Sequence, residues 1–479
     1  MPGPAILRRK PIDDIEPESS GGGLQRTLGL RQLTAIGIGG IIGAGIFSLA
    51  GAVAHETAGP AVVLSFLIAG VASAAAAFSY AEFAGLIPKA GSAYTYGYVV
   101  LGEFAAWFIG WDLLLEYTAI VAVVAIGISG YFNELLGFIG VQLPPWMLGA
   151  PGTESDDGVA PGTYVVNLFA VLLCLLIAFV LNRGMKGAAR FETDLVVLKV
   201  AIVLLVVVVG VFYIDAGNYD PFTPFGLTGA FTGAATVFFA VFGYDAMSTA
   251  AEESEESQKH MPKAIIYSLA ISMVLYVLAC LVLTGMVDYT RIDSEAAFSA
   301  AFADVGLPFL GAIIAAGAIL GILTVLFTFL MGAARVGYSM SRDGLLPPVF
   351  ATVHPRFRTP HVSTILIGTI IALVAGLTRI EVLGQLVSIG TLLAFVLVSL
   401  GIIILRKTMP GAPRPFRTPG VPWVPVLGAL ICLAQMVGLP LATWERLVIW
   451  LAIGLVVYFT YSRSRPRPAA MSEARAGVR

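Results

Sequence analysis

The chain is short of charge. Only 12% of its 479 residues are Asp, Glu, Lys or Arg, about half the share a soluble domain carries. The formal net charge of −2 singles out no acidic or basic partner. Basic residues such as Arg183, Lys186, Arg190, Arg356 and Arg358 fit the flanks of apolar segments and call for no nucleic acid. Histidine is scarce: His55, His260, His354 and His361 all fall at segment ends or in loops. They form no metal-ligand spacing and no catalytic dyad, so no metal, no cofactor and no enzyme chemistry are expected. The three cysteines, Cys174, Cys280 and Cys432, each sit within an apolar run, where a thiol packs as a small hydrophobe rather than a disulfide. Nothing resembles a cleaved leader. Arg8, Arg9 and Lys10 precede polar, glycine-rich sequence, and the first apolar run is too long for such a segment.

Apolar sequence is what the chain has. Hydrophobic residues make up 58% of it, and its mean hydropathy is +0.88. Runs long enough to cross a bilayer recur along its whole length. Twelve candidate spans can be drawn: 33–56, 60–87, 101–130, 162–182, 191–213, 229–254, 264–287, 307–340, 361–377, 382–405, 421–440 and 446–462. The longest polar stretches are the first 31 residues and a loop near 132–161, and no soluble domain fits between spans. The expected fold class is an all-α polytopic membrane protein of about twelve helices.

Charge placement orients it. With the N-terminus inside, Arg291, Arg379 and Arg446 are the basic residues on the outside, and Lys199 and Arg335 lie within spans. The remaining 23 of the 28 Lys and Arg residues face the cytoplasm. The positive-inside rule therefore predicts cytoplasmic N- and C-termini and an even number of spans.

Span 1 contains IGIGGIIGAGIF, Ile36 to Phe47, with five glycines in twelve residues. Each costs roughly 1 kcal/mol relative to alanine in a helix interior. Three readings compete. Gly39 and Gly43 have the GxxxG spacing of close helix packing. A nucleotide loop fails, because Ile42 stands where the third glycine of GxGxxG belongs and no strand precedes it. The third reading is a functional break. Span 6, TVFFAVFGYDAMSTAAEE from Thr236 to Glu253, carries Gly243 and Asp245 near mid-span. Spans 1 and 6 open two sets of five. Glycine-interrupted segments at matching places in two halves point to a transporter site between inverted repeats. The break reading gains, with packing still open.

Roles follow from polarity. A break near Gly43 starts a half-helix at Ala44, Gly45 and Ile46, whose free amides attract an anion. The first half of span 6 ends near Phe239 and Ala240, and its carbonyls, with that of Ile41, suit a cation. Amides for a carboxylate beside carbonyls for an ammonium make a cradle for an α-amino acid head group. Phe239, Phe242 and residues of spans 3 and 8 are expected to line the rest, with Phe242 as a capping gate.

Charge inside a span costs about 2.5–3.5 kcal/mol or more and is a functional hypothesis by default. Lys199 lies about nine residues into span 5, with apolar Leu195, Val196, Ile202 and Val203 around it. It is read as a proton-binding group, the alternative being a lysine held structurally by carbonyls of span 1. Glu116 lies mid-way along span 3, with Asp112 four residues earlier on the same face. It can attract a basic side chain, polarise water, or make an interhelical hydrogen bond. Glu82 and the Glu252/Glu253 pair near inner ends are expected to meet Arg335 or Arg342 as a cytoplasmic gate, the alternative being interfacial anchoring.

IGGIIGAGIF, SYAEFAGLIPKAGSAYTY (Ser79–Tyr96), FFAVFGYDAMSTAAEE and RVGYSMSRDGLLPPVFATVHPRFRTP (Arg335–Pro360) resemble the amino acid–polyamine–organocation superfamily, most closely its bacterial cationic amino acid transporter branch. The resemblance covers roughly residues 25–460. It implies a leucine-transporter-type 5+5 inverted repeat with helices 1 and 6 broken, plus two C-terminal helices. The expected organisation is a cytoplasmic tail 1–31, first repeat 32–214, second repeat 228–406, helices 11 and 12 in 420–462, and a cytoplasmic tail 463–479. It implies a multi-pass protein of the plasma (inner) membrane that imports small neutral or cationic L-amino acids with protons by alternating access. Ile41, Gly43, Ala44 and Gly45, opposite Phe239, Ala240 and Phe242, would hold the substrate. Glu116 and Ile322 would face its side chain, and Lys199 would bridge span 1 to Thr324. The chain departs from relatives at Ala44, Leu323 and Ile322, and the apolar Ile322 weighs against a cationic substrate. A pH-independent cationic exchanger or uniporter, a passive channel and an amino-acid sensor are the alternatives. The partners expected are substrate, protons and lipid, with an oligomer or small accessory helix left open.

Overall fold

A computed structural model describes residues 9–10, 24–43, 45–138, 141, 143–153, 163–292 and 297–463. The fold is all-α. Among the described residues, seven helices are long and apolar enough to span a bilayer, and Leu168–Asn182, His361–Leu377 and Trp423–Val437 are shorter apolar helices. One run, Gly45–Leu86, turns at Gly59 (φ +62°) and so holds the end of span 1 and all of span 2. Span 6 supplies two further half-helices. The twelve spans follow.

Span 1 is Leu30–Ile41 and, past its break, the helical run from Gly45 to Ala58. Span 2 is Val62–Leu86, span 3 Glu103–Phe138, span 4 Leu168–Asn182 and span 5 Met185–Gly210. Span 6 is Gly226–Val237 continued by Tyr244–Ser248. Spans 7 to 10 are Ser257–Met286, Pro308–Arg342, His361–Leu377 and Ile380–Thr408. Trp423–Val437 and Leu441–Val457 are spans 11 and 12. Span 3 runs well into the stretch expected as a polar loop, because its last turns remain helical beyond the apolar core.

Packing repeats when five is added to a span number. Span 2 packs on span 7, span 3 on span 8 and span 4 on span 9. Span 1 packs on span 7 as span 6 packs on span 2, and span 3 packs on span 10 as span 8 packs on span 5. Spans 11 and 12 sit outside this exchange. Span 12 is clasped to span 3 by reciprocal indoles: Trp111 Nε1 donates to the Trp450 carbonyl and Trp450 Nε1 to that of Trp111, each at 2.9 Å.

Both described chain ends meet the end of span 8. Lys10 Nζ reaches Asp343 Oδ1 at 2.6 Å, and Ser462 Oγ donates to the Leu345 carbonyl at 2.7 Å. This end of the bundle is the tail face. An even number of crossings requires both ends on one side.

Candidate functional site

The glycine-rich segment loses its helix after Ile41. Ile42 turns extended (φ −78°, ψ 105°) and helix resumes at Gly45. In span 6 a 3₁₀ turn, Phe238–Ala240, ends the first half. Gly243, at φ +128°, lets the chain re-enter helix at Tyr244, a conformation that a Cβ would strain. The two breaks cross in backbone contact. A Cβ on Gly243 would lie 2.5 Å from the Gly40 carbonyl carbon, and one on Gly45 would lie 2.2 Å from Ala240 Cβ. The packing reading also holds, since a Cβ on Gly37 would meet Ser268 of span 7 and one on Gly43 would meet Val325 of span 8.

Carbonyls freed by the breaks converge. The Tyr276 hydroxyl of span 7 lies 2.8 Å from the Ile41 oxygen and 3.0 Å from the Ala240 oxygen. One hydroxyl proton cannot serve two carbonyls fully, whereas an ammonium brings three. Irregular backbone at this depth is tolerated where protein or ligand satisfies it.

Behind the crossing, Lys199 Nζ donates to the Gly39 carbonyl at 3.1 Å, the Ile42 carbonyl at 2.6 Å and Thr324 Oγ1 at 2.6 Å. Lys199 is fully buried. Its ammonium joins the broken end of span 1 to span 8, and among the described residues its hydrogen bonds are to neutral acceptors.

On the far side of the crossing, Glu116 Oε1 accepts from Thr391 Oγ1 of span 10 at 2.6 Å, while its Oε2 has no partner among the described residues. Both Asp112 oxygens are likewise buried without partners. Asp245 is held by the Tyr117 hydroxyl at 2.8 Å and the Gly243 amide at 3.1 Å. Phe242 is buried edge-on to Phe329 and Phe395, each at 6.4 Å between centroids. Ile322 is buried on span 8. Ala44 lies outside the described residues, and of Phe239 only the backbone is described.

The tail face is closed by ion pairs. Arg335 donates to both carboxylate oxygens of Glu253, at 2.7 and 2.8 Å, and Arg342 to both of Glu252, at 2.9 and 2.7 Å. Glu252 and Arg335 thus both face this closure, in separate pairs. Glu82 does not join them, contrary to expectation. It accepts from Arg406 at 3.0 and 2.7 Å, from Arg414 at 3.0 Å and from the Thr418 amide at 2.6 Å. The loop after span 10 folds back over the end of span 2, and two arginines distant in sequence outcompete those of span 8.

The family model for amino acid permeases matches residues 28–459. The chain belongs to the amino acid permease family. This permease is 46% identical over 459 residues to the methylthioribose transporter of Bacillus subtilis (strain 168), covering 96% of this chain and 98% of that protein. It is 43% identical over 466 residues to the branched-chain amino acid permease BcaP of the same organism, covering 97% and 99%. Human cationic amino acid transporter 4 is 37% identical over 422 residues, 86% of this chain and 64% of its own length. The permease is an integral membrane transporter and not an enzyme.

Sequence reasoning about the permease missed Tyr276, Thr391 and Glu192. Tyr276 and Thr391 are single polar residues in apolar spans, a weak signal without knowledge of which helix faces which. Glu192 carries a readable signal: it stands seven residues before Lys199, on the same helix face, one turn beyond the apolar neighbours of that lysine.

Proposed function

We propose that the permease is a proton-coupled symporter of the plasma membrane that imports small neutral L-amino acids by alternating access. The observation that carries this reading is the crossing of the two broken spans. The Ile41 and Ala240 carbonyls point at one hydroxyl beside the restarting helix at Gly45. A substrate ammonium takes the carbonyls, and its carboxylate takes the amides at the helix start. In this reading Ile41, Gly43 and Gly45 hold the substrate opposite Ala240 and Phe242, and Ala44 and Phe239 are assigned to the same site from the sequence. Phe242, Ile322, Phe329 and Phe395 leave an apolar lining for the side chain, in keeping with a relative named for branched-chain substrates.

Lys199 is the proton-coupling group in this reading, with Thr324 as its hydroxyl partner. Charged, it ties Gly39 and Ile42 to span 8; neutral, it donates fewer bonds and frees span 1 to tilt. The Arg335–Glu253 and Arg342–Glu252 pairs hold the tail face shut until then. That face is the cytoplasmic one, as the basic loops require. The division into repeats 32–214 and 228–406 supplies the two-fold swap that alternating access needs.

A second reading is favoured by Glu116. Its unpartnered oxygen suits a lysine- or arginine-like side chain, and cationic transporters are among the relatives. Such a substrate is drawn inward by voltage, about 2.3 kcal/mol per charge per 100 mV.

The test is uptake of labelled alanine and arginine into proteoliposomes, with and without an inward pH gradient. Gradient-dependent alanine uptake, abolished in Lys199→Ala, is the expected result. Arginine uptake that follows voltage and ignores pH overturns the proton role and moves Glu116 to the centre.

A further inference from the structure

Span 5 carries a second buried ionisable group. Glu192 is 1% exposed and lies two turns from Lys199, about 10 Å along the axis toward the tail face. A seven-residue step returns to nearly the same side of the helix. Both residues address the same stretch of span 1. A Cβ on Gly39 would sit 3.0 Å from Glu192 Oε1, and the Gly39 carbonyl takes a hydrogen bond from Lys199.

Thr328 of span 8 reports the state of this carboxyl. Its Oγ1 is 2.6 Å from Glu192 Oε1 and 3.2 Å from the Ile36 carbonyl. The hydroxyl has one proton and faces two acceptors. Both contacts are hydrogen bonds at once only when Glu192 itself carries a proton and donates to Thr328. Ionised, Glu192 takes the hydroxyl and the Ile36 contact is lost. Other charge around it is already engaged: Arg335, two turns further along span 8, is paired with Glu253. Among the described residues, span 1 meets this carboxyl at Gly39 and offers the Ile36 carbonyl to Thr328, and span 7 packs on span 5 at Gly210 through Val282 and Met286.

A cleft of about 390 Å³ opens at the tail-face end of the same seam. Leu28, Arg31 and Gln32 line it from the span 1 side and Ala189, Thr193 and Asp194 from span 5. Ala189 is one turn below Glu192 on its own face and Thr193 is adjacent in sequence. The seam therefore runs from surface cleft to buried carboxyl to buried ammonium.

We infer that Glu192 is the relay through which protons pass between Lys199 and the cytoplasm, with this cleft as its mouth. The inference rests on the proton-coupled reading above. When the inner half of span 1 moves off span 5, water enters the seam. The Glu192 carboxylic acid releases its proton to water in the cleft, and the carboxylate left behind takes a proton from the Lys199 ammonium, which becomes an amine. No other species is consumed.

With one proton per substrate, a gradient of one pH unit supports about tenfold alanine accumulation. The experiment compares wild type, Glu192→Gln and Glu192→Asp in proteoliposomes, measuring gradient-driven accumulation and alanine–alanine exchange on the same preparations. Glutamine keeps the size and the Thr328 contact but carries no titrating proton. Glu192→Gln is expected to drop from about tenfold accumulation to none, with exchange reduced far less, and Glu192→Asp is expected to restore a pH-dependent gradient response. Glu192→Gln that still accumulates alanine overturns the relay. So does equal loss of exchange and accumulation in Glu192→Gln, which marks a structural role. Wild type that shows no gradient dependence instead overturns the reading of Lys199 on which the relay stands.

Discussion

At the scale of single residues, the site depends on atoms that are missing. Gly45 and Ala240 approach so closely that Gly45→Ala places two methyl carbons 2.2 Å apart, with neither on a flexible arm. Overpacking of this kind costs about 1–3 kcal/mol, roughly a 5–150-fold loss of affinity if it falls on the site. Alanine binding to Gly45→Ala in detergent is expected to weaken by that much. Gly127→Ala, which meets nothing within 4 Å, is expected to bind as wild type does. Tyr276→Phe leaves the Ile41 and Ala240 carbonyls facing each other without their shared donor, at about 1–3 kcal/mol per orphaned group. Its alanine affinity is expected to fall by about tenfold or more in a protein that still purifies as a folded species. The two residues differ in legibility. Glycines in an apolar span advertise themselves, because a membrane helix has cheaper choices. A tyrosine does not, because its meaning depends on two carbonyls supplied by helices more than 30 residues away in the chain.

At the scale of elements, the two interrupted helices could be read from glycine placement, and the restarts fall within a residue or two of Gly45 and Gly243. Span ends were harder. Span 5 begins at Met185 although apolar sequence starts later, since Arg190 and Glu192 are helical too; hydropathy marks where lipid begins and not where helix does. The short helices Ala93–Val100 and Ala297–Asp304 are too brief to register as spans. Ion-pair partners were the least legible, as Glu82 shows. Its carboxylate ties the end of span 2 to span 10 and to the loop carrying Arg414 and Thr418. Glu82→Ala takes the carboxylate from Arg414, whose side chain is only 4% exposed and keeps only the Met409, Pro410 and Ala412 carbonyls among the described residues. Removing one partner of a buried pair costs about 3–5 kcal/mol. A lowered melting temperature in detergent is the expected outcome. The Lys259–Glu256 pair, 73% and 56% exposed, is the contrast: Lys259→Ala is expected to melt with wild type.

At the scale of the whole molecule, hydropathy carried the fold class, because the bilayer permits few solutions. How the spans pack was not legible, since neighbouring apolar helices look alike in sequence. Sidedness can be checked directly. With the three buried native cysteines replaced by serine, Arg291→Cys is expected to react with an impermeant thiol reagent on intact cells, and Lys259→Cys only after permeabilisation. The bundle is also asymmetric in its unmet polarity. Among the described residues, the Tyr80, Ser339 and Ser399 hydroxyls and the Asp112 carboxylate are buried without partners, all between mid-depth and the tail face. Polar atoms left dry in this way cost about 1–3 kcal/mol each, a debt that water cancels when the inner half parts. In the alternating-access reading, opening of the tail face is therefore a wetting transition, and its equilibrium answers to the activity of water. Osmolytes too large to enter the widening cavity favour the closed form, so a transporter measured in concentrated sucrose turns over more slowly for want of solvent.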